Sequence, residues 1–266
     1  MNHLLRGHAP ISDGVWKELD EEATERLTPA LAARKLVDFS GPHGWEYSAT
    51  NLGRVSSLQS PPCAGVTGLQ RRVLPLVEVR ADFALSRAEL RDADRGAEDA
   101  DWEPLDTAAH QIAVSENIAV FHGWNGAMEG ITEATPHDKI PLGEDTAGYP
   151  SAVSAAVERL LSAGVTGPYG LALGREQYRL VAETGEDGGY PLLDHLRKIL
   201  DGPLVWAPGV KGAVVVSLRG GDFLYESGQD LSIGYDSHDA DVVRLYLEQS
   251  FSFRVATPEA AVALTV

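Results

Sequence analysis

The 266-residue chain has a single cysteine, Cys63, so no disulfide can form within it, and a lone thiol fits a reducing cytosol. No stretch approaches the eighteen consecutive apolar residues that a membrane-spanning helix needs, and Met1-Asn2-His3-Leu4-Leu5-Arg6 has no basic-then-apolar leader pattern. A cytoplasmic protein is expected. Basic residues are scarce, with 22 Lys and Arg against 39 Asp and Glu, a formal charge of −17. Packaging nucleic acid asks for the opposite balance, so neither nucleic acid nor membrane is an expected partner. Catalytic spacing is missing too. The eight histidines, at 3, 8, 43, 110, 122, 137, 195 and 238, form no paired-ligand motif, and there is no Gly-x-Ser-x-Gly elbow. Arg219-Gly220-Gly221-Asp222 reads as a turn, because no Gly-Lys-Ser/Thr follows it. No catalytic residue, metal site or cofactor is assigned on these grounds.

Hydrophobic residues make up 44% of the chain, enough for one large or two small domains. From Val243 to Val255 the odd positions are Val243, Leu245, Leu247, Gln249, Phe251, Phe253 and Val255, and the even ones Arg244, Tyr246, Glu248, Ser250, Ser252 and Arg254. Such alternation predicts a half-buried strand of roughly 43 Å, at ~3.3 Å per residue, far longer than usual. Residues 13–28 predict an amphipathic helix with Trp16, Leu19, Ala23 and Leu27 on one stripe. Thr28-Pro29 then predicts a kink, Thr28 capping a new turn and Leu31, Ala32 and Leu36 continuing the apolar surface. In residues 49–73, Gly, Ser and Pro punctuate isolated Val55, Leu58, Val66 and Leu69, which predicts an extended hairpin with a Pro61-Pro62 tip and almost no core. Such a hairpin is marginal in water and needs another surface to cover it.

Val77–Phe83 alternates again, and Arg91–Asp101 is an acidic, solvated stretch. Thr107–His122 predicts a long helix, Val114, Ile118 and Phe121 forming its stripe with Ile112, Ala113 and Ala119 beside it and Gly123 ending it. Residues 136–150 mark a boundary. Beyond it come a helix capped by Ser151 and running to Ala163, a strand at Leu171–Leu173, helices near 174–183 and 191–200, and strands at Leu204–Trp206 and Ala213–Leu218. The fold class is α+β.

Leu5-Arg6, Ala9-Pro10, Trp16, Arg34-Lys35-Leu36-Val37-Asp38, Gly41-Pro42-His43-Gly44-Trp45-Glu46-Tyr47 and Leu74-Pro75-Leu76-Val77-Glu78-Val79-Arg80 form an ordered series with Gly167-Pro168-Tyr169, Gly189-Tyr190-Pro191-Leu192 and the block Val215–Ala260. In number, order and spacing this series resembles the encapsulins, bacterial nanocompartment shell proteins with the HK97-like phage-capsid fold. The resemblance implies a P-domain start at 1–48, an E-loop at 49–75 lying across a neighbouring subunit, P-domain and spine helix at 76–135, an A-domain at 136–218 and P-domain strands at 219–266. It implies self-assembly into an icosahedral shell of 60 copies or a larger multiple. The cargo enclosed would be a dye-decolorising peroxidase or a ferritin-like protein carrying a C-terminal targeting peptide.

The matching docking positions are Leu27, Leu31, Arg34, Asp38, Asp230, Leu231, Ile233 and Tyr235. The bland alternative is ordinary core for the leucines and isoleucine, with Arg34 and Asp38 as a surface pair. Position in the family also implies a five-fold pore loop at Glu183, Glu186, Asp187, Gly188 and Gly189, whose carboxylates would attract cations. Some relatives hold a flavin against a tryptophan in the segment matching Ser86-Arg87-Ala88-Glu89, which has no aromatic here, so no flavin is carried over. Alternatives are a prophage-derived head protein of the same fold or, further off, a hydrolase or bacteriocin.

Overall fold

A computed structural model describes residues 3–143, 145–185 and 191–266. Its strands are β1 (Asp38–Ser40), β2 (Ala49–Leu58), β3 (Gly68–Pro75), β4 (Val77–Ser86), β5 (Ile140–Pro141), β6 (Tyr169–Leu173), β7 (Leu204–Trp206), β8 (Ala213–Ser217), β9 (Phe223–Ser227), β10 (Ser232–His238), β11 (Val242–Val255) and β12 (Ala261–Thr265). The helices are α1 (Asp13–Ala30), α2 (Arg87–Asp94), α3 (Glu103–His122), α4 (Ile131–Ala134), α5 (Tyr149–Ser162), α6 (Arg175–Glu183) and α7 (Leu192–Leu200).

The long strand is the axis of the first sheet. β11 pairs antiparallel with β4 along one edge, and on the other with β10 over its first half and β9 over its last residues; β1 then pairs parallel with β9. The expected half-burial holds only for the first part of β11. From Gln249 to Phe253 both faces are buried, because the even positions turn their hydroxyls to inward partners: Ser250 Oγ accepts from the Gln229 amide at 2.9 Å, and Ser252 Oγ lies 2.8 Å from Thr50 Oγ1. The second sheet runs β5-β12-β8-β6-β7 and packs with α5 and α7. β12 thus joins this second sheet, so the 219–266 segment feeds both.

Two apolar cores result. One holds α1, the first half of α3 and the β4, β10 and β11 residues; the other holds the second sheet, its helices and the last turns of α3. α1 starts where Ser12 Oγ accepts from the Val15 amide at 3.3 Å. It buries Trp16, Leu19, Ala23 and Leu27 as the periodicity predicts, and Val15 with them. At its far end the structure corrects the expected restart. The helix runs through Pro29 to Ala30, the Leu31 amide still bonds to Leu27 O at 3.0 Å, and Thr28 Oγ1 donates to Thr24 O at 2.7 Å instead of capping a new turn. A 3-10 turn at Ala33–Lys35 follows.

The long helix forms and stops at Gly123, whose φ of 85° is left-handed territory open to glycine. Its buried stripe is not the expected one. Ile112, Ala113, Ala119 and Phe121 are buried, whereas Ile118 is 39% exposed and with Val114 and Trp124 lines an open surface hollow. α5 begins at Tyr149, before Ser151, since Pro150 is favourable in a first turn. Among the described residues the hairpin β2–β3 pairs with no third strand, and Val55, Leu58, Val66, Leu69 and Val73 stand at least half exposed.

Candidate functional site

The last turns of α1 lie beside the Asp230–Leu231 turn and the start of β10. Thr24, Leu27, Thr28 and Leu31, spaced to share one helix face, meet Leu231, Ser232, Ile233 and Leu247 around a groove of about 300 Å³. Its floor is apolar and buried, and its ends are acidic. Asp20 closes one end, held by Arg6 through two bonds of 2.8 and 2.9 Å, and Asp230 closes the other. Six of the eight expected docking residues (Leu27, Leu31, Arg34, Asp230, Leu231 and Ile233) therefore line one cavity.

Asp38 and Tyr235 lie elsewhere. The 3-10 turn redirects the chain so that Asp38 opens β1, where its Oδ2 accepts from the Gly221 amide at 2.8 Å. Tyr235 points its hydroxyl at His238 Nδ1, 2.6 Å away, while its amide donates to Leu4 O.

Arg34 is the anchor beneath the groove. Its Nε donates to both Glu116 oxygens at 3.0 and 3.1 Å, its Nη1 to Asp230 Oδ1 at 2.7 Å, and its Nη2 to Glu116 Oε2 at 3.0 Å and Gln249 Oε1 at 2.6 Å. Glu116 is fully buried and also accepts from the Tyr225 hydroxyl at 3.0 Å. Burial works most strongly against the Arg34 charge, but Glu116, Tyr225 and Asp230 together outweigh it and hold the guanidinium above its ordinary pKa. Burial and then the same carboxylate push the Tyr225 phenol well up, which keeps it a proton donor. With its donors engaged inside the subunit, Arg34 positions Asp230 at the rim. Asp230 in turn accepts from the Leu231 amide at 2.8 Å and shapes the turn.

The adjacent Asn117 is equally buried. Its Nδ2 donates to Ala30 O and Pro208 O at 2.9 and 3.0 Å, and its Oδ1 accepts from the Ala33 amide at 3.0 Å, so it ties down the chain where α1 ends. Sequence reasoning passed over Glu116 and Asn117. Their signal was present: two polar residues in succession inside an otherwise apolar helix, where burial requires partners.

Of the expected pore loop, Glu186, Asp187, Gly188 and Gly189 lie outside the described residues. Glu183 ends α6 exposed and accepts from Arg179 Nη1 at 2.7 Å. Cys63 is an exposed thiol at the hairpin tip. Among the described residues no group of three or more His, Cys, Asp or Glu could hold a metal ion, and no helix is long and apolar enough to cross a membrane.

The sequence profile of the Linocin_M18 family, described as encapsulating protein for peroxidase, matches residues 1–252. The chain belongs to this encapsulin family. It is 49% identical over 270 residues to the type 1 encapsulin shell protein of Rhodospirillum rubrum, covering 99% of this chain and 96% of that one. It is 41% identical to the type 1 encapsulin shell protein of Mycobacterium tuberculosis, with both chains covered fully. The fold is HK97-like: the virus-like particle protein of Pyrococcus furiosus superposes with a TM-score of 0.63 at 17% identity, over 91% of this chain and 97% of that one. The capsid protein of an empty GTA particle gives 0.54 at 15% identity, over 88% and 89%. Family membership makes a shell protein, a structural role, the coarse functional assignment.

Proposed function

We propose that this encapsulin self-assembles in the cytoplasm into a closed icosahedral shell of sixty copies or a larger multiple. Within it, a cargo enzyme is held by a C-terminal peptide lying in the groove between α1 and β10. The observation that carries the reading is the hairpin β2–β3, which projects five half-exposed apolar side chains over no part of its own chain. An isolated two-stranded ribbon is marginal in water, so a second subunit is the natural cover for it. The groove has the features of an extended-peptide site: an apolar floor for spaced side-chain anchors and a polar rim to fix register. Its residues Leu27, Leu31, Leu231 and Ile233 would take the anchors, with Asp230 meeting a backbone amide or a basic side chain. A peroxidase, or a ferritin-like protein, is the proposed cargo class, the former in keeping with the family's description. Negative-stain electron microscopy of the chain expressed alone tests assembly. Uniform closed particles are expected; a monomer at every concentration would end this reading.

A further inference from the structure

Residues 49–75 contain three arginines and no acidic residue, in a chain whose remainder carries 19 basic against 39 acidic side chains, or −20. Two of the three share one face of the ribbon, while Arg71, next to Arg72 along the strand, points to the other. In the hairpin register Arg54 lies directly opposite Arg72, and Val55 opposite Arg71. Like charges facing each other across an antiparallel pair are unfavourable. The register is nonetheless pinned there by a local device: the pairing shifts between Asn51 and Arg54, Gly53 takes a left-handed φ of 63°, and Asn51 Oδ1 accepts the Gly53 amide at 2.9 Å. All three arginines are exposed, and no hydrogen bond or ion pair from the described residues reaches their side chains. The fold thus maintains a repulsive cluster that its own subunit does not neutralise.

Something anionic must sit against that cluster for the register to be worth fixing. A body of −20 repels an anionic polymer but offers carboxylates at high density to a sister chain's arginines. We propose that Arg54 and Arg72 form an ionic clamp that docks one face of the hairpin onto carboxylates of a second copy. The clamp supplies alignment that the scattered apolar residues Val55, Leu58 and Leu69 cannot give, since guanidinium forks bind carboxylates in a fixed geometry. It rests on the assembly reading above.

The test compares subunit–shell equilibria of wild type, R54Q/R72Q and R54K/R72K by analytical ultracentrifugation, at low ionic strength and at about 1 M, where the screening length shrinks to about 3 Å. At low salt R54Q/R72Q is expected to weaken association about tenfold, and R54K/R72K, which keeps the charge but not the fork, to fall between it and wild type. At high salt the difference between wild type and R54Q/R72Q should vanish. Circular dichroism of the variants should match wild type, because the substituted side chains are exposed. Unchanged association of R54Q/R72Q at low salt overturns the clamp, and so does a deficit equally large at both salts, which would mean lost packing. A wild type that never assembles overturns the underlying assembly reading instead, so the two failures are distinguishable.

Discussion

Replacing Arg34 by methionine deletes a buried cation while leaving its surroundings in place. Glu116, fully buried, then keeps a single partner, the Tyr225 hydroxyl at 3.0 Å, where before it also took three bonds from the guanidinium. Gln249 loses the bond to its Oε1, and its Nε2 already has no partner. Breaking a buried ion pair from one side costs about 3–5 kcal/mol, because the remaining charge is stranded away from water. For a chain near this size each kcal/mol moves the unfolding temperature by about 2–4 °C, so a loss of roughly 6–20 °C is expected. The assay is tryptophan-fluorescence melting of the purified protein at several scan rates, because irreversible unfolding makes a midpoint depend on scan rate. Two companions sharpen it. Glu116→Gln leaves Arg34 with Asp230, whose carboxylate is 42% exposed, so it should cost less, about 1–3 kcal/mol. The double variant Arg34→Met/Glu116→Leu removes both charges and should recover most of the single variant's loss. A shift for Arg34→Met within 2 °C of wild type, or a double variant no better than the single, would refute the stranded-charge reasoning.

Deleting residues 54–70 should leave subunits with native circular dichroism that never close into particles, because the hairpin contributes nothing to either core; intact shells from that deletion would remove its structural role. For docking, Leu231→Asp on the half-buried rim should cut cargo-peptide binding about tenfold or more without affecting assembly, the lost burial of one leucine being worth about 1.5–3 kcal/mol. Leu31→Asp should reduce cargo loading in the same direction, but Leu31 is only 9% exposed, so its shell yield must be checked alongside; unchanged peptide binding in both variants would take the groove out of docking. His122 accepts the Lys211 amide at Nε2 (2.9 Å) and pairs through Nδ1 with Thr132 Oγ1 (3.0 Å), a neutral arrangement. Burial first and then Lys211 lower its pKa, so the unfolded chain takes up that proton first as pH falls. The stability it contributes is complete above about pH 6.5 and is lost as pH drops below that toward the lowered folded value. Denaturant midpoints between about pH 7 and 5 should therefore fall more steeply for wild type than for His122→Asn, and parallel slopes would contradict the assignment.

Much of the architecture was legible because it rests on local pattern. Alternation marked β4 and β11, and the punctuated, core-less stretch 49–73 marked the hairpin by what it lacked. The spine helix shows where such reading stops. Ala108, Ala109, Ile112, Ala113, Val114, Ile118, Ala119, Val120 and Phe121 wrap apolar character nearly around the cylinder, so periodicity supplies several stripes and does not choose among them. Packing chose the one facing α1 and β4, and left Val114 and Ile118 outside. The docking site divides in the same way. Leu27 and Leu31 follow from helix spacing, but Asp38 follows Arg34 by only four residues and still ends on another strand, because the intervening 3-10 turn breaks the helical register. Glu116 is farther beyond reach, as its partner Arg34 lies 82 residues away and only tertiary folding introduces them.

β11 connects the two features on which the proposed function rests. Along six of its residues, Leu247 lines the groove, Gln249 bonds Arg34 beneath it, Ser250 fixes the Gln229 amide just before the Asp230 turn, and Ser252 meets Thr50 at the root of the hairpin. Burial of both faces over Gln249–Phe253 removes the rotational freedom that a half-exposed strand would keep. Groove and hairpin root are thus mounted on one rigid rod, paired with β4 on one edge and with β10 and β9 on the other. One chain brings together the groove lining described above and the partners Glu116, Asp230 and Gln249 of Arg34. The hairpin differs: its apolar side chains stand at least half exposed, and its arginine side chains meet no partner among the described residues. Under the proposed function the groove would serve cargo within the folded subunit and the hairpin would serve closure between subunits, so the strand that joins them would set where a docked peptide lies relative to the shell seam.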